Sequence, residues 1–370
     1  MILNSIRLKN FRIHKNTEIE FSGKLNYIVG GNGEGKTSVL ESIYYLCTTK
    51  SFSAKSDNEV LRFEENEFEI DGLITDLTKD RVKVIYSLPE NKKNYIQNNK
   101  VISRYSDVIG KFPVVVLSPT DHSITQGYPS ERRKFVDSVI SQSSATYLGI
   151  LIDYNKTLRQ RSSLLSGIKE KKHEKIIAEL DAWTERLVES GTKLIEHRIR
   201  FVREFNEYIK ESYRFLLDQS EVPGIKYSSL NNGDSKEIKS RFISQLEEKK
   251  DEELRRATNL VGPHRDDYLF EINGINLRTY GSQGQHKTFQ VVLRFAEFFY
   301  LKEITGKIPL FLLDDVFGEL DTKRSVKISE YLREVGQAFI TLTDFSNLSF
   351  LSIGEEDRIF NIQGGVIANA

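Results

Sequence analysis

The chain has 370 residues, 39% of them hydrophobic and 29% charged, and its 53 Lys and Arg balance 53 Asp and Glu. That length suggests about two to three structural units, and the zero net charge excludes any argument for or against nucleic acid from bulk charge alone. A single cysteine, Cys47, excludes an internal disulfide. No secretory h-region and no apolar run near the roughly 20 residues of a membrane span is seen, so a cytoplasmic location is expected.

In chain order, ILNSIRL (2–8) and TEIEF (17–21) alternate apolar and polar residues as half-buried strands do. LNYIVG (25–30) reads as a short buried strand ending in glycines, and residues 36–46 carry helical spacing through Val39, Leu40, Ile43, Tyr44 and Leu46. FEIDGLI, RVKVIYSL and NYIQNNKVI predict a small antiparallel sheet, and PVVVLSP (113–119) another buried strand. From Ser130 to about Arg256 long amphipathic helices dominate, with a turn near Lys169 to Lys175 and a break at PGIKYSSLNNGDS (223–235), which predicts an all-helical insertion. YLFEING and NLRTYGSQG then read as strands, followed by a helix from about 285 to 303. PLFLLDD, QAFITLT and DRIFNIQ alternate with helical pieces, which suits a doubly wound sheet.

The stretch Gly30-x-x-x-x-Gly35-Lys36-Thr37 fits a P-loop in the right context, with a strand before it and a helix after. Gly30, Gly31, Asn32, Gly33, Glu34 and Gly35 would turn backbone N–H groups toward phosphates. Lys36, Thr37 and Ser38 would open a helix whose N-terminus favours anions. Lys36 would neutralise phosphate charge and the Thr37 hydroxyl would bind Mg²⁺. IPLFLLDD (308–315) supplies a buried strand ending in carboxylates: Asp314 for Mg²⁺, Asp315 to orient or deprotonate an attacking water. About 280 residues separate Lys36 from Asp314, so the ATPase head is split around the helical insertion. YGSQGQHKT (280–288) offers Ser282, Gln283, Gly284 and Gln285 at the start of a long apolar helix, a second anion-binding end. One chain rarely needs two such ends for one phosphate tail, whereas a head-to-head dimer does. The alternative is an ordinary helix N-cap.

These motifs together resemble the ABC-type ATPases of the SMC kind, and in detail the RecF family of bacterial recombination-repair proteins. The resembling stretches include IRLKNFRIHKNTEIEF, GGNGEGKTSVLESIYYL, GYPSERRKFVD, YNKTLRQRSSLL, LVGPHRDD, GSQGQHKT and LLDDVFGELD, and run from residue 2 to about 325. The resemblance implies an α/β fold: a split ABC-type P-loop head with a small antiparallel β subdomain and an inserted α-helical arm. Its expected boundaries are 1–129 for the N-terminal half of the head, 130–256 for the arm and 257–370 for the C-terminal half. It implies ATP on residues 30–38, Mg²⁺ on Thr37 and Asp314, a catalytic carboxylate at Asp315, and the signature 282–285 acting in trans. Glu319-Leu320-Asp321 would be the D-loop linking the two sites. It further implies a slow, DNA-dependent ATPase acting as a switch in an ATP-dependent homodimer on single-stranded and duplex DNA at gap junctions. RecR and RecO would be partners in helping RecA load, with roles in replication and the SOS response. The family usually shows GQQRT where this chain has Gln285-His286-Lys287-Thr288, which keeps charge at 287 but loses a planar bidentate donor. Thr343-Asp344 stands where transporters carry a switch histidine, which suggests slow hydrolysis.

For DNA contact the candidates are Arg132 and Arg133, the lysines at 169, 171, 172 and 175, and Arg198, Arg200 and Arg203. Each competes with a solvated, ion-paired helix face. His264 and Arg265 either couple arm to head or fold their own turn, and Trp183 and the arm tyrosines read as core. Two other classes compete with the DNA-binding reading: an SMC-like structural head acting mainly through protein partners, and a transporter ATPase subunit. LVGPHRDD, LLDD and the large arm oppose the transporter. No Asn-Lys-x-Asp motif supports a GTPase.

Overall fold

The structure, a computed structural model, describes residues 1–170, 174–217, 221–229, 234–319, 322–343 and 353–369. It comprises two compact units: Met1–His122 with Glu211–Ser220 and Lys287–Ala370, and Ser123–Lys210 with Glu221–His286.

The chain enters the first unit through β1 (Ile2–Phe11) and β2 (His14–Glu20), an antiparallel pair whose alternation buries Ile6, Leu8 and Ile19. β3 (Leu25–Val29) runs into the P-loop, and α1 (Lys36–Thr48) follows it. β4 (Glu67–Thr75), β5 (Lys79–Ser87), β6 (Lys92–Gln97) and β7 (Lys100–Val101) complete an antiparallel sheet of order β2-β1-β4-β5-β6-β7. β8 (Val114–Leu117) is buried throughout, as its unbroken apolar run requires.

α2 (His122–Gln126) leads into the second unit. Pro129 opens α3 (Pro129–Ser143), where its missing N–H costs no hydrogen bond. Then come α4 (Ala145–Glu170), the 44-residue α5 (Glu174–Leu217), and β9 (Pro223–Ser228). The Asp234 side chain caps α6 (Ser235–Arg256) by accepting from Glu237 N–H at 2.9 Å. β10 (Asp267–Ile272) pairs antiparallel with both β9 and β11 (Ile275–Asn276), and α7 (Leu277–Tyr280) and α8 (Gln283–Thr305) follow.

Two sequence expectations are corrected here. The arm is not all helical, because its break contains β9, which buries Ile225 and Tyr227 on one face and finds its partner in β10. NLRTY is not a strand, because the Asn276 side chain accepts from Thr279 N–H at 3.2 Å and nucleates α7. The boundaries expected at 129/130 and 256/257 for the head halves and the arm remain a proposal, and the compact units are cut at other residues. The second unit starts at Ser123 and keeps residues 257–286, since β10 is tied to β9, while the end of α5 from Glu211 belongs to the first unit.

The chain then completes the first unit with β12 (Leu310–Leu313), α9 (Thr322–Leu332), β13 (Ala338–Leu342), β14 (Arg358–Gln363) and β15 (Val366–Asn369). The sheet has the order β15-β14-β3-β13-β12-β8, parallel except for β15. Helix α1 lies in one core with both sheets. Its Val39, Leu40, Ile43 and Leu46 cluster with Ile6, Phe68 and Ile70 of the antiparallel sheet and with Ile28, Leu312 and Phe339 of the parallel one. A helix enclosed in this way is apolar on more than one face. Its one buried acid, Glu41, is held by Arg12 through two bonds of 2.8 Å. On β12, Phe311 meets Phe295 edge-to-face and stacks against Phe298, both of α8. No helix among the described residues is long and apolar enough to cross a membrane.

Candidate functional site

The parallel sheet sets the site. In such sheets ligands gather outside the carboxyl ends of the strands, and both the P-loop after β3 and the carboxylates after β12 leave the sheet at that end, with β13 between them. Gly33 and Gly35 have φ of 82° and 103°, which side chains with a Cβ rarely adopt. At Gly30 the limit is space, since a Cβ there would lie 2.4 Å from the Ile362 carbonyl. Gly35 is the N-cap of α1 and has no side chain to occupy the helix N–H groups, and the first turn holds no acid. The loop therefore presents free backbone donors and a positive dipole end. The buried Lys36 ammonium donates to the carbonyls of Gly30 and Gly31 at 2.7 and 2.8 Å. Burial lowers its pKa, and the charges of Asp315, Asp314 and Glu34 oppose that shift.

The Thr37 hydroxyl donates to Asp314 Oδ1 at 2.8 Å, across 277 positions of sequence. The same oxygen accepts from the Thr341 hydroxyl at 2.9 Å, and Thr341 Oγ1 in turn accepts from Asp315 N–H at 2.8 Å. Thr341 was not found by sequence reasoning; its only signal was a hydroxyl inside the apolar run QAFITL. Burial raises the Asp314 pKa, with the two hydroxyl bonds and Lys36 acting against it. Asp315 has a left-handed φ of 50°, uncommon for a residue with a side chain. Among the described residues no group of three or more His, Cys, Asp or Glu side chains can hold a metal ion. One hydroxyl and one or two carboxylates suit Mg²⁺, which takes its remaining ligands from phosphates and water. The donor set therefore fits a nucleoside triphosphate with Mg²⁺: Gly30 to Ser38 for the phosphates, Thr37 and Asp314 for the cation.

The signature stretch lies in the second unit. Ser282 N–H donates to Gln285 Oε1 at 3.0 Å and Gln285 N–H to Ser282 Oγ at 3.2 Å, a reciprocal capping box at the start of α8. Ser282 and Gln283 are exposed, Gly284 and Gln285 half-buried and His286 buried. Leu320 and Asp321 of the expected D-loop, and Asp344 of the switch position, lie outside the described residues.

The DNA candidates divide. Arg132 is a correction: it is 3% exposed and grips Asp267 through two bonds of 2.7 and 2.9 Å, so it fastens α3 to β10 and offers no charge to a phosphate. Arg133 is half-buried and donates to the Asp266 carbonyl at 2.6 Å. Arg198 is buried on Asp137 and the Pro263 carbonyl. Arg200 and Arg203 are exposed, whereas residues 171–173 and the side chains of 169–175 lie outside the described set. His264 Nε2 lies 3.3 Å from the Asn259 carbonyl and Arg265 donates to the same carbonyl at 2.6 Å, so both fold their own turn, and His264 also ties it to Tyr154 of α4. Burial holds the His264 pKa down at about 4. Tyr147, Tyr154 and Tyr213 are core, but Trp183 is only half-buried, with Arg186 over its ring.

The family model described as RecF/RecN/SMC N terminal domain matches residues 2–350. The chain is 40% identical to the DNA replication and repair protein RecF of Chloroherpeton thalassium, over 96% of this chain and 99% of that one. It is 34% identical to the RecF of Streptococcus suis over the full length of both. Among solved structures it is similar to "the recombination mediator protein RecF-ATP in RecFOR pathway", with a TM-score of 0.90 and 31% identity, covering 100% of this chain and 97% of that one. An Smc head domain from Pyrococcus furiosus shares the fold, with a TM-score of 0.57 and 15% identity over 100% of this chain and 96% of that one. A P-loop head of the ABC/SMC type, matched over its whole length by RecF sequences, leads to one conclusion: the chain belongs to the RecF family of DNA replication and repair proteins.

Proposed function

We propose that this chain is an ATP-controlled DNA clamp of recombinational gap repair. The observation that carries the reading is the Thr37–Asp314–Thr341 relay, which joins the P-loop to the carboxylate strand and to the strand between them. ATP binds at Gly30 to Ser38, with Lys36 on the phosphates and Mg²⁺ on Thr37 and Asp314. Bound Mg²⁺ supplies charge neutralisation at the phosphate oxygens. Asp315 orients the attacking water, and its short side chain goes with slow turnover. The exposed Ser282 end of α8 completes the site of a second copy, so ATP acts as the glue of a homodimer and hydrolysis releases it. DNA at single-strand/double-strand junctions is the ligand of the closed dimer. RecR and RecO are its partners in helping RecA load, during replication and the SOS response, in the cytoplasm. Its relatives are DNA replication and repair proteins and a recombination mediator, which supports this reading.

Sedimentation with a non-hydrolysable ATP analogue tests the dimer. The parent chain is expected to shift from monomer to dimer, and Ser282→Arg to bind the analogue and stay monomeric. A parent chain that binds the analogue without dimerising contradicts the clamp and leaves a head that acts through protein partners.

A further inference from the structure

Beside the P-loop sits a histidine that the chemistry above does not use. His14 of β2 is 0% exposed. Its Nε2 lies 3.1 Å from the Gly35 carbonyl oxygen, and its Nδ1 lies 3.0 Å from both Thr17 Oγ1 and the Gly365 carbonyl oxygen. The Gly35 carbonyl belongs to the N-cap of α1 and also accepts the first intrahelical bond, from Val39 N–H at 3.3 Å. Gly365 lies in the β14–β15 turn, which holds the preceding P-loop residue: Gly365 N–H donates to the Glu34 carbonyl at 3.1 Å, and Gly364 N–H donates to its carboxylate. Residues 34 and 35 are thus fixed from two sides, by β2 and by the β14–β15 turn.

Both ring nitrogens face carbonyl oxygens, but burial lowers the His14 pKa, and the neutral ring has a single N–H to give. The Thr17 hydroxyl is within reach of the Gly365 carbonyl at 2.8 Å and of Nδ1 at 3.0 Å, so Nδ1 can accept from it, whereas the Gly35 carbonyl has no proton to give Nε2. The ring proton is therefore worth most on Nε2, against Gly35. Space agrees: a Cβ at residue 35 would lie 2.8 Å from Nε2, so the ring and the positive φ both demand glycine there.

We propose that His14 is a positioning residue of the nucleotide site, its Nε2–H holding the Gly35 carbonyl so that the first turn of α1 points its N–H groups at the phosphates. This rests on the nucleotide reading above. Two amide variants separate positioning from packing. His14→Gln places an amide nitrogen where Nε2 lies and keeps a donor toward Gly35; His14→Asn places one near Nδ1 and loses it. The readouts are the Kd of a fluorescent non-hydrolysable ATP analogue with Mg²⁺ and the thermal midpoint without nucleotide, both on the full chain. Expected is a His14→Gln affinity within about 2-fold of the parent and a His14→Asn affinity about 3- to 10-fold weaker, the worth of one net hydrogen bond. Equal affinities in the two variants, whether like the parent or equally weakened alongside lowered midpoints, overturn the proposal and leave His14 a packing residue. Absence of nucleotide binding in the parent itself overturns the nucleotide reading and this inference together.

Discussion

At the scale of the residue, the site is built from groups held against their ordinary ionisation. Asp314 is buried and its carboxylate is disfavoured until a cation arrives. Because its folded pKa lies above its unfolded one, it costs the apo fold stability as pH rises through and above the usual carboxylate range. Asp314→Asn is therefore expected to raise the thermal midpoint of the nucleotide-free chain at neutral pH while lowering Mg²⁺-dependent turnover by about 10²-fold or more. A lowered midpoint would show that the carboxylate is stabilising as it stands. A second buried acid makes a sharper pH case. Arg294 donates to Asp121 at 2.6 and 2.8 Å and to Glu297 at 2.7 Å, so one cation serves two carboxylates. Burial pushes the Glu297 carboxyl up to about 7, against the pull of Arg294. A raised carboxyl favours the folded state below its unfolded value and loses that advantage as pH climbs toward about 7. The midpoint of Glu297→Gln relative to the parent should therefore rise between pH 5 and pH 8, and a difference that stays flat with pH rejects the assignment. Lys36, Thr37 and Asp314 were legible in the sequence because phosphate and Mg²⁺ chemistry restrict residue type at fixed spacing. Thr341 and His14 were not, because their partners stand 27 and 21 positions away and only the folded chain brings them together.

Among the elements, long periodic helices and buried strands were readable, and short segments that depend on distant partners were not. β3 and β12 announce themselves as apolar runs, and α1 by its spacing. β9 opens with Pro223 and Gly224, which read as a break, and its pairing partner begins only at Asp267. The same long-range pairing decides Arg132. The SERR stretch at a helix start suggested a phosphate contact, but the neighbour that matters is Asp267. Arg132→Ala is expected to cost about 2–3 kcal/mol of stability, below the range for fully buried pairs because Asp267 is partly exposed. It should leave the salt dependence of DNA binding unchanged. Denaturant titration and binding at several salt concentrations check both halves, and a reduced salt slope without loss of stability would restore Arg132 as a DNA contact.

For the whole molecule, the split head follows from sheet order. β3 and β12 lie two places apart in one sheet, yet the entire second unit is inserted between them in sequence. That separation was visible in the sequence as the distance from Lys36 to Asp314, and the extension of the insert past residue 256 was not, because it follows from the pairing of β10 with β9. The head fold and family follow from these features together with the comparisons, and the DNA clamp is the functional claim built on them. Fluorescence anisotropy on a gapped duplex tests it most directly, with no nucleotide, with ADP and with a non-hydrolysable ATP analogue, at 50 and 200 mM salt, with Lys36→Ala beside the parent chain. Tight binding is expected only with the analogue, lost in Lys36→Ala, and weakened roughly 10³- to 10⁵-fold by the added salt if six to ten phosphates are contacted. Binding that is equal in all nucleotide states, or absent from all of them, would contradict it.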